Sequence, residues 1–337
     1  MDIWMRIPGM DAEMERVEAI IREYYRDFLG REPISTIMET VLTQKGKRIR
    51  PALVLLSARL DNKASYNSKQ LCRLAAIVEM AHAASLIHDD IVDDSPLRRG
   101  KPTVQARFGK DMAVYAGDFI LSRILCELMG AEMIRSGKII AKCMSEMCCG
   151  ELAQYEAQFD TEATEENYFA SIIGKTGALF SVCCEVGALE SGCAPETARL
   201  MRRFGRDLGI LFQLRDDLLD CTSSARQEGK PVHSDFKRGI YTLPVLYSFR
   251  DPKAGRELKE LALRVRGGDR DGALCRRMEE LVEKSGGILY TEQIMDEYAA
   301  RARSMLRSLP ASQASRSLNT LVCFLLPRRE ALESVPV

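Results

Sequence analysis

Two short acidic stretches carry most of the chemistry written in this chain, Asp89-Asp90-Ile91-Val92-Asp93 and Asp216-Asp217-Leu218-Leu219-Asp220. The first closes an apolar run, Leu71 to Leu86, that holds no Gly or Pro; the second follows Leu208 to Leu214. On helices, Asp89 and Asp93 share one face, as do Asp216 and Asp220. Carboxylates stacked one turn apart suit a hard divalent cation that prefers oxygen ligands. Mg²⁺ held in this way keeps several waters and takes further oxygens from a substrate phosphate. A single acidic cluster reads equally well as a solvated helix end. The second copy points beyond that, because two facing clusters can hold cations between them. The pattern points to a Mg²⁺–diphosphate site.

Cations recur where such a site would need them. Gly46-Lys47-Arg48-Ile49-Arg50-Pro51 leads into an apolar segment, Ala52 to Leu60, with Pro51 suited to a first helical turn. Lys47 and Arg50 would then flank a helix N-terminus, which attracts anions; taken alone the stretch also reads as an ordinary basic loop. After Asp94 the Pro- and Gly-bounded loop Ser95–Pro102 carries Arg98, Arg99 and Lys101. Arginine forks onto phosphate oxygens. Gly174-Lys175-Thr176-Gly177 interrupts an apolar helix and predicts a kink with exposed backbone, or merely two tolerated glycines. Gln213 precedes Asp216 by about a turn, and the charged loop Gly229–Gly239 reads as either a connector or a lid.

These residues must be positioned by helices. Aromatics make up only 7% of the 337 residues, no strand-like alternation of useful length occurs, and no short repeat is present. The expected helices span about 10 to 30, 34 to 42, 71 to 94, 103 to 130, 134 to 159, 164 to 190 and 195 to 222, with further helices after Tyr241. A single all-α domain over residues 1–337 follows. Basic and acidic residues balance at 48 each, which removes any global electrostatic case for nucleic acid. The eleven cysteines include no CxxC and fall mostly on apolar stretches, as reduced buried thiols do. Met1-Asp2-Ile3-Trp4 lacks the apolar core of a signal peptide, and no apolar run approaches a membrane span. A cytoplasmic protein with no transmembrane segment is expected.

The ordered set GKRIRP, ASLIHDDIVDDSPLRRG, GKT, FQLRDDLLD and GKPVHSDFKRGIYTLP closely resembles the trans-isoprenyl (polyprenyl) diphosphate synthase family, from about residue 40 to 250. "GIYTLPVLY" and "AVYAGDFI" look most like the catalytic subunits of two-component hexaprenyl or heptaprenyl diphosphate synthases. The resemblance implies a bundle of mostly antiparallel helices around a deep central cavity. It implies a homodimer, or a heteromer with a small regulatory subunit. The implied reaction is repeated condensation of an allylic diphosphate with isopentenyl diphosphate, assisted by about three Mg²⁺ ions. Asp89, Asp93 and Asp216 would be the main metal ligands, with Asp90, Asp217 and Asp220 nearby. Arg98, Lys175 and Lys230 match positions that hold the allylic diphosphate; Lys47, Arg50, His82 and Arg99 match those for isopentenyl diphosphate. Thr176 and Gln213 match groups facing the developing cation, and Glu151 and Gln154 add polar contacts near the metals. Many relatives carry Lys where this chain has Ile240, so one phosphate contact is expected to be missing.

Product length follows from the helix bearing Asp89. The growing tail should descend past Ser85 and Ala84, Ala81 and Ile77, where no aromatic side chain closes the path. This favours about C30 to C35 over shorter geranylgeranyl or farnesyl products, unless Ala84 and Ala81 are small only to let helices pack. A class I terpene cyclase would not need the second cation set at Lys47, Arg50 and Arg99. A non-catalytic regulatory subunit would usually have lost one or both acidic motifs.

Overall fold

A computed structural model describes residues 9–26, 28, 30–43, 46–60, 67–130, 133–222, 234–269 and 271–327. Sixteen α-helices are present among the described residues: α1 (Met10–Arg26), α2 (Ile34–Thr43), α3 (Ile49–Ser57), α4 (Ser68–Val92), α5 (Val104–Phe108), α6 (Lys110–Gly130), α7 (Ile134–Glu156), α8 (Glu165–Ile172), α9 (Ala178–Glu190), α10 (Pro195–Thr222), α11 (Ser234–Lys237), α12 (Leu243–Ser248), α13 (Ala254–Arg266), α14 (Gly272–Lys284), α15 (Gly287–Arg307) and α16 (Gln313–Leu325). A two-residue hairpin, β1 (Leu97–Arg98) with β2 (Lys101–Pro102), is the sole sheet among them. The expected all-α class holds.

Helices α3, α4, α9 and α10 form the centre. Helix α9 is buried on almost every side, from Ala178 through Ala188, and packs against α3, α7 and α10. Helix α4 is buried continuously from Leu74 to Ala81 and lies against α1, α3 and α6. Helices apolar all round belong in the core, and strongly amphipathic ones such as α1, α13 and α14 at the periphery. A second apolar cluster around Phe236, Tyr241, Leu258, Leu261 and Met278 joins the main core through Tyr168 and Ile288, which pack against both.

Local chemistry fixes several ends. The Asn67 side chain accepts from the Lys69 and Gln70 amides to start α4, and Thr164 with Asn167 forms a capping box on α8. Three expectations need correction. The first helix ends at Arg26 rather than Gly30. The span expected to be one helix from 103 to 130 is two, because Gly109 takes φ 91 and breaks it. Two helical stretches, Ser68–Val92 and Glu165–Glu190, are long and apolar enough to cross a membrane by length and composition, contrary to the expectation of none. Their most apolar windows are 67% and 72% buried inside the bundle, as core helices are.

Candidate active site

The first acidic motif sits at the C-terminal end of α4, with Asp93 as the residue that caps it. Asp90 is buried and receives Arg98, whose Nε and Nη2 lie 2.9 and 2.7 Å from Asp90 Oδ1. The hairpin makes that possible. Arg99 and Gly100, both at positive φ (53° and 73°), form a two-residue turn that folds Arg98 back toward α4. Burial pushes the Asp89 carboxyl up to about 7, opposed by Lys175 and Arg98 and reinforced by Glu151 and Asp93.

Lys175 lies in a π-helical turn, Ile173–Gly177, between α8 and α9. This is the irregularity expected from Gly174-Lys175-Thr176-Gly177, and such bulges expose backbone at functional sites. Lys175 Nζ donates to Glu151 Oε2 and Gln154 Oε1, both at 2.9 Å. Burial works against its charge, but Glu151, Asp89 and Asp93 outweigh it and raise its pKa. Gly150 makes this approach possible: a Cβ there would lie 2.5 Å from the Lys175 backbone nitrogen.

The second motif ends α10 and is wired to the same turn. Thr176 Oγ1 donates to Gln213 Oε1 (2.8 Å), and Gln213 Nε2 donates to Asp217 Oδ1 (2.7 Å). Tyr168 Oη donates to Asp217 Oδ2 at 2.5 Å. Burial raises Asp217 to about 7, against the lowering effect of the Tyr168 and Gln213 hydrogen bonds. Asp220 accepts from the Ser234 hydroxyl (3.0 Å) and the Ser234 and Asp235 amides (3.3 and 3.1 Å), so it anchors the start of α11. Just beyond α11, Arg238 donates to Asp93 of the first motif. The segment 234–238 therefore ties the two acidic ends together. Half-buried Asp235 is held well above the ordinary carboxylate range, by desolvation and then by Asp220 and Asp217.

The expected isopentenyl diphosphate residues divide. A small cavity of about 40 Å³ is lined by Arg48, Glu79, His82, Asp90 and Arg99, among others. The Arg99 guanidinium packs over Gly46, within 2.7 Å of where a Cβ would stand. Arg50 stacks on Phe180 with its charged carbon 5.0 Å from the ring centre, and its buried Nε has no hydrogen-bond partner. Burial, then Arg50 and Arg99, hold His82 well below its ordinary pKa, so it serves as a neutral hydrogen-bonding group. Lys47 is placed apart from that cavity, its Nζ 5.6 Å from the Phe324 ring centre. Lys230 lies outside the described residues. On α4, Ala84, Ala81 and Ile77 are buried in the core, while half-buried Ser85 donates to the His82 carbonyl at 2.9 Å. Ile240 is buried and its amide donates to the Asp235 carbonyl, which closes the turn after α11.

Four residues of the site escape the sequence reading. Arg48 is clamped between Glu18 and Glu79, at 2.6 Å each. Tyr168, Asp235 and Arg238 join the network only through long-range packing. The acidic Ser234-Asp235 step next to basic Lys237-Arg238 was the one available signal.

The donor set fits Mg²⁺. Among the described residues no three acidic side chains converge into a ready-made metal cage. They instead present carboxylates, half-buried Asp89 and buried Asp217 above all, whose charge is poorly matched. An ion that keeps its waters and shares phosphate oxygens suits an open arrangement of that kind.

The sequence matches the family model described as polyprenyl synthetase over residues 31–274. The chain belongs to that family. It is 31% identical to heptaprenyl diphosphate synthase component 2 of Geobacillus stearothermophilus over 319 residues, 95% of this chain and 94% of that protein. Octaprenyl diphosphate synthase of Escherichia coli is 33% identical over 273 residues, 80% of this chain and 82% of that one. The fold superimposes with a TM-score of 0.85 on a polyprenyl synthase from Caulobacter crescentus complexed with calcium and isoprenyl diphosphate, at 30% identity over 95% of each chain. The protein is thus an enzyme, a prenyltransferase of the polyprenyl diphosphate synthase type, as its motifs implied.

Proposed function

We propose that this chain condenses isopentenyl diphosphate repeatedly with an allylic diphosphate to give an all-trans polyprenyl diphosphate of about C30 to C35. The observation that carries this reading is the arrangement of both acidic helix ends, Lys175 and the Thr176–Gln213–Asp217 chain around one region. Asp89, Asp93 and Asp216 would hold about three Mg²⁺ ions, with Asp90, Asp217 and Asp220 close by; bound there, the metal supplies Lewis-acid neutralisation of the departing diphosphate. Lys175, Arg98 and Lys230 hold that diphosphate by charge, which requires Lys175 to exchange its Glu151 and Gln154 partners for phosphate oxygens. Arg50, Arg99, Lys47 and neutral His82 hold isopentenyl diphosphate. Thr176 and Gln213 turn their oxygens toward the allylic cation, and the released diphosphate accepts the proton lost on condensation.

The tail runs down α4 past Ser85, Ala84, Ala81 and Ile77. Ala84→Phe is expected to shorten the product with turnover retained; product chromatography after dephosphorylation reads it, and an unchanged length would place the tail elsewhere. A shorter natural product is the second reading, favoured by the 28% identity and TM-score of 0.87 to a geranylgeranyl pyrophosphate synthase from Lactobacillus brevis. The chain forms a homodimer; the relatives named as component 2 support the alternative, a heteromer with a small regulatory subunit. The deciding assay combines purified chain, Mg²⁺, labelled isopentenyl diphosphate and farnesyl diphosphate. A discrete long prenol establishes a self-sufficient synthase; activity only with a co-expressed small subunit establishes a two-component one. Neutral hydrocarbons would overturn the proposal.

A further inference from the structure

A second basic site lies far from the acidic motifs. Helices α1, α4 and α6 enclose a cavity of about 580 Å³, lined by Arg16, Tyr24, Arg26, Lys69, Arg73 and Arg123, with Glu23, Glu127 and the apolar Ala19, Ile20 and Cys72. Arg73 precedes Asp89 by 16 residues, about 24 Å along α4. The cavity is therefore separate from the catalytic region.

Its charge is unbalanced. Glu23 and Glu127 face their own helix neighbours, Arg26 and Arg123, at 3.4 Å. Among the described residues Arg16 donates to the Ser68 hydroxyl (3.2 Å). Lys69 and Arg73 have no carboxylate within ion-pair distance among the described residues. They stand four residues apart in the first two turns of α4, a like-charged pair at the positive end of the helix dipole. Both effects oppose that placement, which exposed Lys69 relieves through water and half-buried Arg73 less so. A separate sign of a missing partner comes from Tyr24. The residue is 6% exposed and lines the cavity, and its hydroxyl meets no acceptor at full hydrogen-bond geometry; Glu127, the carboxylate beside it, is the acceptor nearest to hand. The Arg123 Nε is likewise buried and unpaired. Buried polar groups are rarely left so, and each one calls for a partner. The volume falls within the range of small-ligand sites.

We infer that this cavity is a binding site for a phosphate-bearing anion, held by Lys69, Arg73 and Arg16 with the Tyr24 hydroxyl donating to an oxygen. The same chemistry describes a soluble diphosphate and the headgroup of an anionic lipid, and the apolar wall at Ala19, Ile20 and Cys72 accommodates a short hydrocarbon part of either. The site is independent of the proposed product and of the metal centre.

Titration calorimetry of the full chain with inorganic diphosphate in EDTA, and sedimentation with phosphatidylglycerol against phosphatidylcholine vesicles, test it. The variants are Lys69→Glu with Arg73→Gln, and Tyr24→Phe. The wild type should bind one diphosphate more than the double variant, or bind phosphatidylglycerol vesicles at least tenfold better than the variant does. Diphosphate binding alone identifies a soluble ligand, and vesicle binding alone a lipid headgroup. Tyr24→Phe should weaken the same event several-fold. Ligand binding should also raise Tm in the wild type and not in the double variant, which controls for folding. Elongation with both substrates saturating should be unchanged in every variant. Equal stoichiometry and equal vesicle binding in wild type and double variant overturn the inference. So does dependence on these residues only for capture of an acidic protein partner.

Discussion

Glu79 shows how a buried charge can serve a site without touching substrate. It is 8% exposed, it holds Arg48 at 2.6 Å, and its negative charge favours the charged forms of Arg48, Arg50 and Arg99 together. Removing one partner of a buried pair leaves the other charge uncompensated, which typically costs several kcal/mol. Glu79→Ala is expected to destabilise the fold by about 3 kcal/mol in urea unfolding and to raise KM for isopentenyl diphosphate more than that for the allylic substrate. Unaltered stability would mean that Glu18 alone holds Arg48. Lys47, Arg50 and Arg99 stand out in the sequence because they sit in short basic stretches, whereas His82 was named only through the family resemblance. Glu79 was not legible: in an apolar run a lone Glu carries no sign of which arginine, thirty residues earlier, will fold against it.

Among the helices, the irregular turn between α8 and α9 does the most to place reactive groups. Its five residues put Lys175 beside Glu151 and Gln154 and Thr176 beside Gln213, so it addresses α7 and α10 at once. Gly150 on α7 allows the approach. Gly150→Ala must separate α7 from the turn, a strain of about 1–3 kcal/mol. Thermal unfolding should register that loss, and kcat should fall about tenfold because Lys175 shifts from its proposed diphosphate position. The flanking glycines announced this kink in the sequence. The break at Gly109 was not foreseen, since a lone Gly in a helical pattern is usually tolerated and only the φ of 91° shows the turn. Nor was the fold of the Arg98–Arg99 loop: Pro and Gly marked a turn, but its hand and the pairing of Arg98 with Asp90 depend on the tertiary setting.

For the molecule entire, the apolar periodicity specified the helical bundle, and its outer face carries the next test. Tyr115 and Met129 on α6, and Ile134, Leu152 and Tyr155 on α7, are exposed at 63% to 88%. Large apolar side chains so placed favour association. Under the proposed homodimer, Tyr115→Glu with Met129→Glu should halve the mass seen by analytical ultracentrifugation and leave the helical content by circular dichroism intact. A dimer that survives both charges would place the interface on another face. Core helices α4 and α9 also explain why hydropathy alone misleads here: a helix buried on every side in protein has the composition of one buried in lipid.

The Arg238–Asp93 bond makes ligand entry an exchange rather than an addition. An ion that takes Asp93 Oδ1 competes with the guanidinium for it, so the intrinsic affinity is divided among closed and open populations. If the open form is about one per cent of molecules, the apparent affinity is about a hundredfold weaker than the intrinsic one. Arg238→Gln should then lower the Mg²⁺ concentration for half-maximal activity, with the gain equal to the closed-state bias. With Asp93 as a metal ligand, the segment anchored on Asp220 would then set a threshold in metal concentration below which little of the enzyme is open.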